Sequence, residues 1–506
     1  MSLDLSLPGD MLTALLPEVI LTGWALVLLC VVAWRHRTVA DLRLAGWVTL
    51  AGLASAAVAT WWLWWNSTRP EGPVSLMIAL DDFRFITNGL FLGAAGLTVL
   101  FSFDYLEREQ LLAPEYYLLV VFATLGMMLM GGGEDLMVIF LGLELMSVSV
   151  YVLAGANRRS PRSAEAALKY FLLGAFASAF LLYGIALIYG ATATTNLKLI
   201  GEQLSHDGGA HPTMLLLGLG LLLVGFAFKV AAVPFHMWAP DVYDGAPTPV
   251  SGFMATGVKA AAFAALFRVL AEAFGGSASA HAAVVALAIA TMVGGNLLAL
   301  AQRSFKRMLA YSSVAHAGYL LVAVAAGSAD GRAAFVFYLV AYTLMTLGAF
   351  ALLGAKGRNG ESDVQIDDFA GLAARRPWHA FALAVCMLSL LGFPGTAGFV
   401  GKWYILIAAT ASGQGWLAAL LVLTSVVSAG YYLPVIMAMY MKPEPSPDAH
   451  GGVRLGRLAG AALAASVAAL LWFGVHPNRL LDASAASAQT VHAAPPAATG
   501  SSTPTQ

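Results

Sequence analysis

Residues 213–235 read TMLLLGLGLLLVGFAFKVAAVPF, an apolar run broken only by Lys229 and, five residues later, Pro234. A helix that crosses a bilayer needs about 20 mostly apolar residues. This run has that length, and its proline falls near the end, where a helix can break. The lysine is the unusual part. A charge at the bilayer centre costs about 2.5–3.5 kcal/mol even on the lenient insertion scale, so charges kept there are usually functional.

The same ruler applied outward finds spans near 13–34, 41–64, 82–103, 115–131, 134–155, 164–190, 245–271, 281–301, 307–327, 333–354, 379–411, 415–441 and 455–474. With 213–235 they make about fourteen helices of crossing length. The composition agrees: mean hydropathy is +0.77, with 59% hydrophobic and 11% charged residues, where soluble domains carry about 25% charged. The run 379–411 is too long for one straight crossing and contains Gly392, Pro394, Gly395 and Gly398. An interrupted helix is predicted there, tolerable where the break is buried or lines a wet cavity.

Basic residues sort between the loops. Loops after odd-numbered spans hold Arg35, Arg37, Arg158, Arg159, Arg303, Lys306, Arg375 and Arg376 among others. Loops after even-numbered spans and the tail hold only Arg69, Lys198, Arg332 and Arg479. The positive-inside rule then puts the odd loops in the cytoplasm and both termini outside. The acidic start MSLDLSLPGD lacks the basic region of a signal peptide, so the first span is expected to remain in the mature chain. The tail from about 483, rich in Ala, Pro, Ser and Thr, is expected to be disordered.

Several charges fall inside or at the edges of spans. Arg84, Lys169 and Arg268 lie toward span ends and are expected to reach the interface. Lys229, Lys259 and Lys402 lie deeper, in GFAFKVAAVPF, ATGVKAAAFA and GFVGKWYIL, and Glu144, in VIFLGLELMSVSVY, is the acidic counterpart well inside a span. One carboxylate does not neutralise this set, and a buried pair adds little net stability. Burial and a nearby carboxylate act on a lysine in opposite directions, which suits a proton relay. His316, in AYSSVAHAGYL, fits either packing or relay, whereas His236, near Asp241 and Asp244, reads as loop structure. Cys30 and Cys386 stand alone, which argues against zinc and iron–sulfur sites. No GxGxxG or GxxxxGK[ST] motif is present. Energy for transport must therefore come from an ion gradient or from partner subunits.

Three longer stretches carry a resemblance. FKVAAVPFHMWAPDVYDGAPTPVSGFMATGVKAAAF (228–263), AYSSVAHAGYLL (310–321) and LSLLGFPGTAGFVGKWYIL resemble signatures of the antiporter-like membrane subunits of respiratory complex I. The resemblance runs from about 80 to 440. It implies an all-α polytopic fold of fourteen helices with two inverted five-helix repeats and broken helices 7 and 12. The implied division is helices 1–3 in residues 1–112, helices 4–8 in 113–273, helices 9–13 in 274–442, the last helix in 443–482 and a tail in 483–506. The chain lacks the lateral helix of the L subunits, and Lys402 stands where M subunits typically have glutamate. The resemblance further implies that Glu144 pairs with Lys229, that Lys259 connects, and that Lys402 completes a proton path with His316 as a polar bridge. It implies no cofactor in this chain, with FMN, iron–sulfur clusters and quinone in the rest of the complex. The expected neighbours are the antiporter-like subunit M, small subunits such as K and J, and the lipid of a bacterial inner membrane. A subunit of a multisubunit sodium/proton antiporter, which shares these motifs, is the alternative.

Overall fold

The computed structural model describes residues 8–67, 77–207, 211–356, 364–443 and 455–491. Thirteen of its helices are long and apolar enough to cross a membrane. In chain order they begin with α1 (Leu16–Trp34), α2 (Val39–Asn66), α3 (Asp82–Arg108), α4 (Glu115–Gly132), α5 (Leu136–Ala154), α6 (Pro161–Thr192) and α7 (Pro212–Val230). Then follow α8 (Thr248–Glu272), α9 (Ala278–Leu300), α10 (Phe305–Ala326) and α11 (Ala329–Lys356). The expected interrupted span is a pair of shorter apolar helices, α12a (Pro377–Leu391) and α12b (Ala397–Ala411), before α13 (Gly415–Met441) and α14 (Arg457–Val475). Counted as one crossing, that pair brings the total to the expected fourteen.

Local chemistry sets the boundaries. Side chains of Asp81, Asp135, Ser160, Ser277 and Ser304 accept backbone N–H bonds at the starts of α3, α5, α6, α9 and α10, satisfying donors that a helix start leaves free. α7 ends right after Lys229, with Ala231 in the left-handed region at φ +58°. A non-glycine residue pays for that conformation, which only the surrounding fold can enforce. α12a ends at Gly392, φ +90°, where glycine removes the penalty.

Burial ranks the helices by depth. The apolar window of α8 is 100% buried and those of α10 and α11 are 89% buried, against 28% for α1 and 33% for α13 and α14. So α8, α10 and α11 form the interior, and the outer helices carry exposed apolar faces. Among the outer faces is the row Leu168, Phe171, Leu172 and Phe176 of α6.

Helices pack closely where small residues permit. A Cβ on Gly126 of α4 would stand 2.4 Å from the Met146 backbone nitrogen of α5, and one on Gly295 of α9 would stand 2.5 Å from that of Ala315 in α10. These contacts recur at one constant spacing along the chain. Leu136 N–H donates to Thr195 C=O and Phe305 N–H to Val364 C=O. Leu197 N–H donates to Glu134 C=O and Ile366 N–H to Arg303 C=O. In each case the second pair lies the same number of residues after the first.

The structure corrects two expectations. Part of the tail read as disordered is the helix α15 (Asn478–Thr490), which packs against α11 and α3; Ser484, Ser487 and Ala488 are buried there, and the Arg332 guanidinium donates to the Ala488 carbonyl. Small residues allow that contact, and composition alone gave no sign of the surface that receives it. Residues 492–506 lie outside the described residues. Arg84 and Arg268 do not reach the interface. They are 1% and 0% exposed. Arg84 donates to Glu18, Ala14 C=O and Ala79 C=O, and Arg268 to Asp81 and Glu272. Lys169, 41% exposed, bonds Glu165 and Asp241.

Candidate functional site: a row of buried lysines

Lys229 occupies the last turn of α7, where the negative end of the helix dipole favours a cation. Its ammonium donates to Ser147 Oγ at 2.7 Å and to Tyr151 Oη at 3.1 Å, both on α5. The rings of Tyr151, Phe228 and Tyr170 lie 5.2, 5.7 and 5.8 Å from Nζ, within the range of cation–π attraction. Trp238 stacks on Tyr170 at 4.4 Å and donates its indole N–H to the Phe228 carbonyl. Trp238 opens the short helix Trp238–Gly245 beyond the break, so the break itself supplies the cage.

Glu144 lies on the same face of α5, one turn before Ser147. It makes no contact with Lys229, although it stays within electrostatic reach. One Glu144 oxygen is buried without a hydrogen-bond partner. The expected Glu144–Lys229 pair is therefore not formed in this conformation. The Ser147 and Tyr151 hydroxyls occupy the ammonium instead, because the end of α7 faces the part of α5 that follows Glu144.

Lys259 begins the second part of α8, just after a π-helical turn at Met254–Val258. Such bulges turn a side chain away from the regular helical face. The Lys259 ammonium donates to the carbonyl and the hydroxyl of Ser313 on α10, each at 2.8 Å. The neighbouring Ser312 hydroxyl bonds Tyr432 Oη of α13. His316 stands one turn further along α10. Its Nδ1 faces Tyr338 Oη at 2.6 Å and its Nε2 faces Tyr432 Oη at 3.0 Å. A neutral imidazole with a hydroxyl on each nitrogen donates on one side and accepts on the other.

Lys402 sits in α12b but reaches back over the break. Its ammonium donates to the Leu390 and Leu391 carbonyls at 2.9 Å each and to Ser425 Oγ at 2.8 Å. Those carbonyls end α12a and lack helical partners. Both Lys229 and Lys402 thus place their ammonium at the C-terminal end of the first half of a broken helix. Tyr319 joins Lys402 to the His316 cluster: its ring centre is 4.7 Å from Lys402 Nζ and 5.4 Å from the His316 ring. Asn296 donates to Tyr319 Oη and accepts from Tyr431 Oη.

The fold therefore brings Lys259, His316 and Lys402 into one polar row along α10, while the contacts of Lys229 share no residue with it. Sequence reading missed Ser147, Tyr151, Tyr338, Tyr432 and Ser425. Ser147 and Tyr151 were findable, since they follow Glu144 at helical spacing. Tyr338, Tyr432 and Ser425 reach the row only through helix packing.

Comparison with known proteins agrees with this architecture. The profile of the family described as NADH:quinone oxidoreductase/Mrp antiporter, TM, matches residues 133–428. The NADH-quinone oxidoreductase subunit N of Trichlorobacter lovleyi is 46% identical over 472 residues, covering 93% of this chain and 96% of that one. Respiratory complex I from Thermus thermophilus contains a chain 38% identical, with TM-score 0.78, covering 93% of this chain and 100% of that one. The Mrp complex from Dietzia sp. contains one 25% identical, with TM-score 0.83, covering 95% and 98%. The chain belongs to the family of NADH:quinone oxidoreductase and Mrp antiporter membrane subunits, and within it to the subunit N relatives.

Proposed function

We propose that the chain is one proton-translocating module in the membrane arm of an NADH:quinone oxidoreductase, and that Lys229, Lys259, His316 and Lys402 pass the proton. The observation that carries this reading is the burial of three lysines, two of them joined with His316 in one polar row and Lys229 apart from it. Lys229, Lys259 and Lys402 are 2%, 1% and 5% exposed, and their ammonium groups donate to hydroxyls and carbonyls, with no carboxylate in contact. A buried cation held only by neutral groups gives up its proton more readily than one held in an ion pair.

Glu144 acts as the switch. In one state the Lys229 ammonium rests on Ser147 and Tyr151; in the other it swings one turn along α5 to Glu144. A hydrogen bond to a charged group contributes about 1.5–3 kcal/mol. Moving one charge against 100 mV costs about 2.3 kcal/mol, so the switch has the right size. The contacts of Lys229 do not reach Lys259, so a proton crosses that gap only by way of water entering it; from Lys259 the hydroxyls of Ser313, Ser312 and Tyr432 lead on to His316. NADH oxidation and quinone reduction, with FMN and iron–sulfur clusters, belong to other subunits. The neighbours would be antiporter-like subunit M on one side and small subunits such as K and J on the other, in a bacterial inner membrane with both termini periplasmic. The constant spacing between equivalent contacts of α4–α6 and α9–α11, and the lysine at each broken helix, support two inverted repeats in 113–273 and 274–442.

Lys229→Ala and Glu144→Ala in the assembled complex test the relay. Coupled proton pumping and quinone reduction should fall while assembly persists. Full pumping by an assembled Lys229→Ala complex would sink the proposal. A sodium/proton antiporter subunit is the second reading, favoured by the TM-score to the Mrp chain. The higher identity to the subunit N and complex I chains favours the redox complex. Copurifying flavin and iron–sulfur subunits would decide.

A further inference from the structure

At the opposite end of α8 from its π-helical turn, buried charges gather outside the lysine row. Arg268 and Glu272 come from the last turns of α8, Asp81 from the cap of α3, Glu134 from the α4–α5 turn and Lys198 from the helix Leu197–Asp207. Arg268 Nη1 and Nη2 bond the two Asp81 oxygens at 2.7 and 3.0 Å, and Nη1 also bonds Glu272 Oε1 at 2.9 Å. Lys198 Nζ bonds Glu134 Oε1 at 2.8 Å. Arg84 packs against Gly132 beside the cluster, but its own charge is answered by Glu18 at 2.9 Å.

Three carboxylates thus face Arg268 and Lys198, which leaves one negative charge in excess. Both glutamates are only 3% exposed. Glu134 Oε2 and Glu272 Oε2 are buried and have no hydrogen-bond partner. One oxygen from each of Asp81, Glu134 and Glu272 lies within 4.8 Å of the others. A pair of like charges this close in an apolar setting is strongly unfavourable, and an orphaned buried oxygen costs more again.

We infer that Glu134 and Glu272 hold one proton between them. The added hydrogen removes the excess charge and gives both orphaned oxygens a role, one donating and one accepting, directly or through one water. Asp81 is not the holder: burial pushes its carboxyl up, but the bidentate Arg268 outweighs this and keeps it below the usual carboxylate range. Lys198 is 40% exposed, so it links the buried pair to the water on that face and is placed to let the proton exchange. This assignment stands apart from the relay, since it concerns an occupied site at rest and not pumping.

Infrared spectroscopy of the purified complex tests it, through the protonated-carboxyl stretch and its shift in D2O. The wild type should show a band that shifts on deuteration and disappears at high pH. Glu134→Gln and Glu272→Gln each remove the excess charge, so each should lose that same band. Lys198→Met adds to the excess, so the band should persist to higher pH. A band that survives either glutamine variant overturns the assignment. So does a wild type without the band, including one in which sodium titration shows a bound cation at the cluster. The wild-type and Lys198→Met titrations decide the matter even where a glutamine variant fails to assemble.

Discussion

Lys402→Arg separates the two roles that Lys402 combines. The side chain staples the break by donating to the Leu390 and Leu391 carbonyls and to Ser425, and in the relay it also releases a proton. Lys402→Met removes both roles. Each stranded carbonyl then costs about 1–3 kcal/mol, offset in part by the several kcal/mol regained when a buried charge is deleted. Arginine keeps the charge and the donors. Leu391, Phe393, Trp403 and Val426 line a groove beside Lys402 that gives the larger head room. But an arginine stays protonated across the whole working pH range, neutral at pH 7 in fewer than about one molecule in 10^5, a barrier of about 7 kcal/mol to giving up its proton. The Arg complex should therefore assemble and melt close to the wild type, yet show at least tenfold less proton uptake per quinone reduced. Reconstitution into liposomes with a pH-sensitive dye, alongside a quinone reductase assay, measures both. Pumping at the wild-type ratio by Lys402→Arg would refute the relay role and leave Lys402 as a staple.

Other expectations follow from the same geometry. Ser147→Ala removes the 2.7 Å acceptor of Lys229, worth about 1.5–3 kcal/mol, and should slow coupled turnover by tenfold or more; an unchanged rate would count against the switch. Gly392→Ala places a Cβ 3.0 Å from Lys402 Cδ on a residue with φ +90°. Thermal unfolding of the complex should show a loss of about 1–3 kcal/mol. Arg268→Met strands Asp81 and Glu272, about 3–5 kcal/mol, and native gels should show poor assembly. Asp241 bridges Lys169 at 2.8 Å and Arg307 at 3.0 Å. Burial pushes its carboxyl up, but these cations bring it below the usual value. A carboxyl lowered by folding stabilises above its unfolded value and loses that effect as pH falls through the folded one. The stability gap between wild type and Asp241→Asn should therefore be full at neutral pH and close in acid, as melting curves across pH would show.

Much of the fold was legible because a bilayer imposes a length. Apolar runs of about 20 residues mark crossings whatever their neighbours, and Gly392 and Pro394 marked the break in α12. The lysines were legible too, since an unpaired charge in an apolar run stands out against its surroundings. What the sequence left open was partnership. Arg84 and Arg268 looked like residues that reach the interface because Glu18 and Asp81 lie far away along the chain, although Glu272, the second partner of Arg268, follows it by only four residues. Glu144 looked like the partner of Lys229, but the end of α7 meets α5 one turn later, so Ser147 and Tyr151 hold the ammonium. Tyr338 and Tyr432 bracket His316 only because α11 and α13 pack against α10. Hydropathy and helical period are local properties, so the sequence alone determines which segments cross and which lysines stand isolated in apolar runs, but not which of the remaining charges are buried. Contact between helices depends on their rotation and depth, which small residues such as Gly126 and Gly295 set, and so only the tertiary structure decides which groups a buried charge touches.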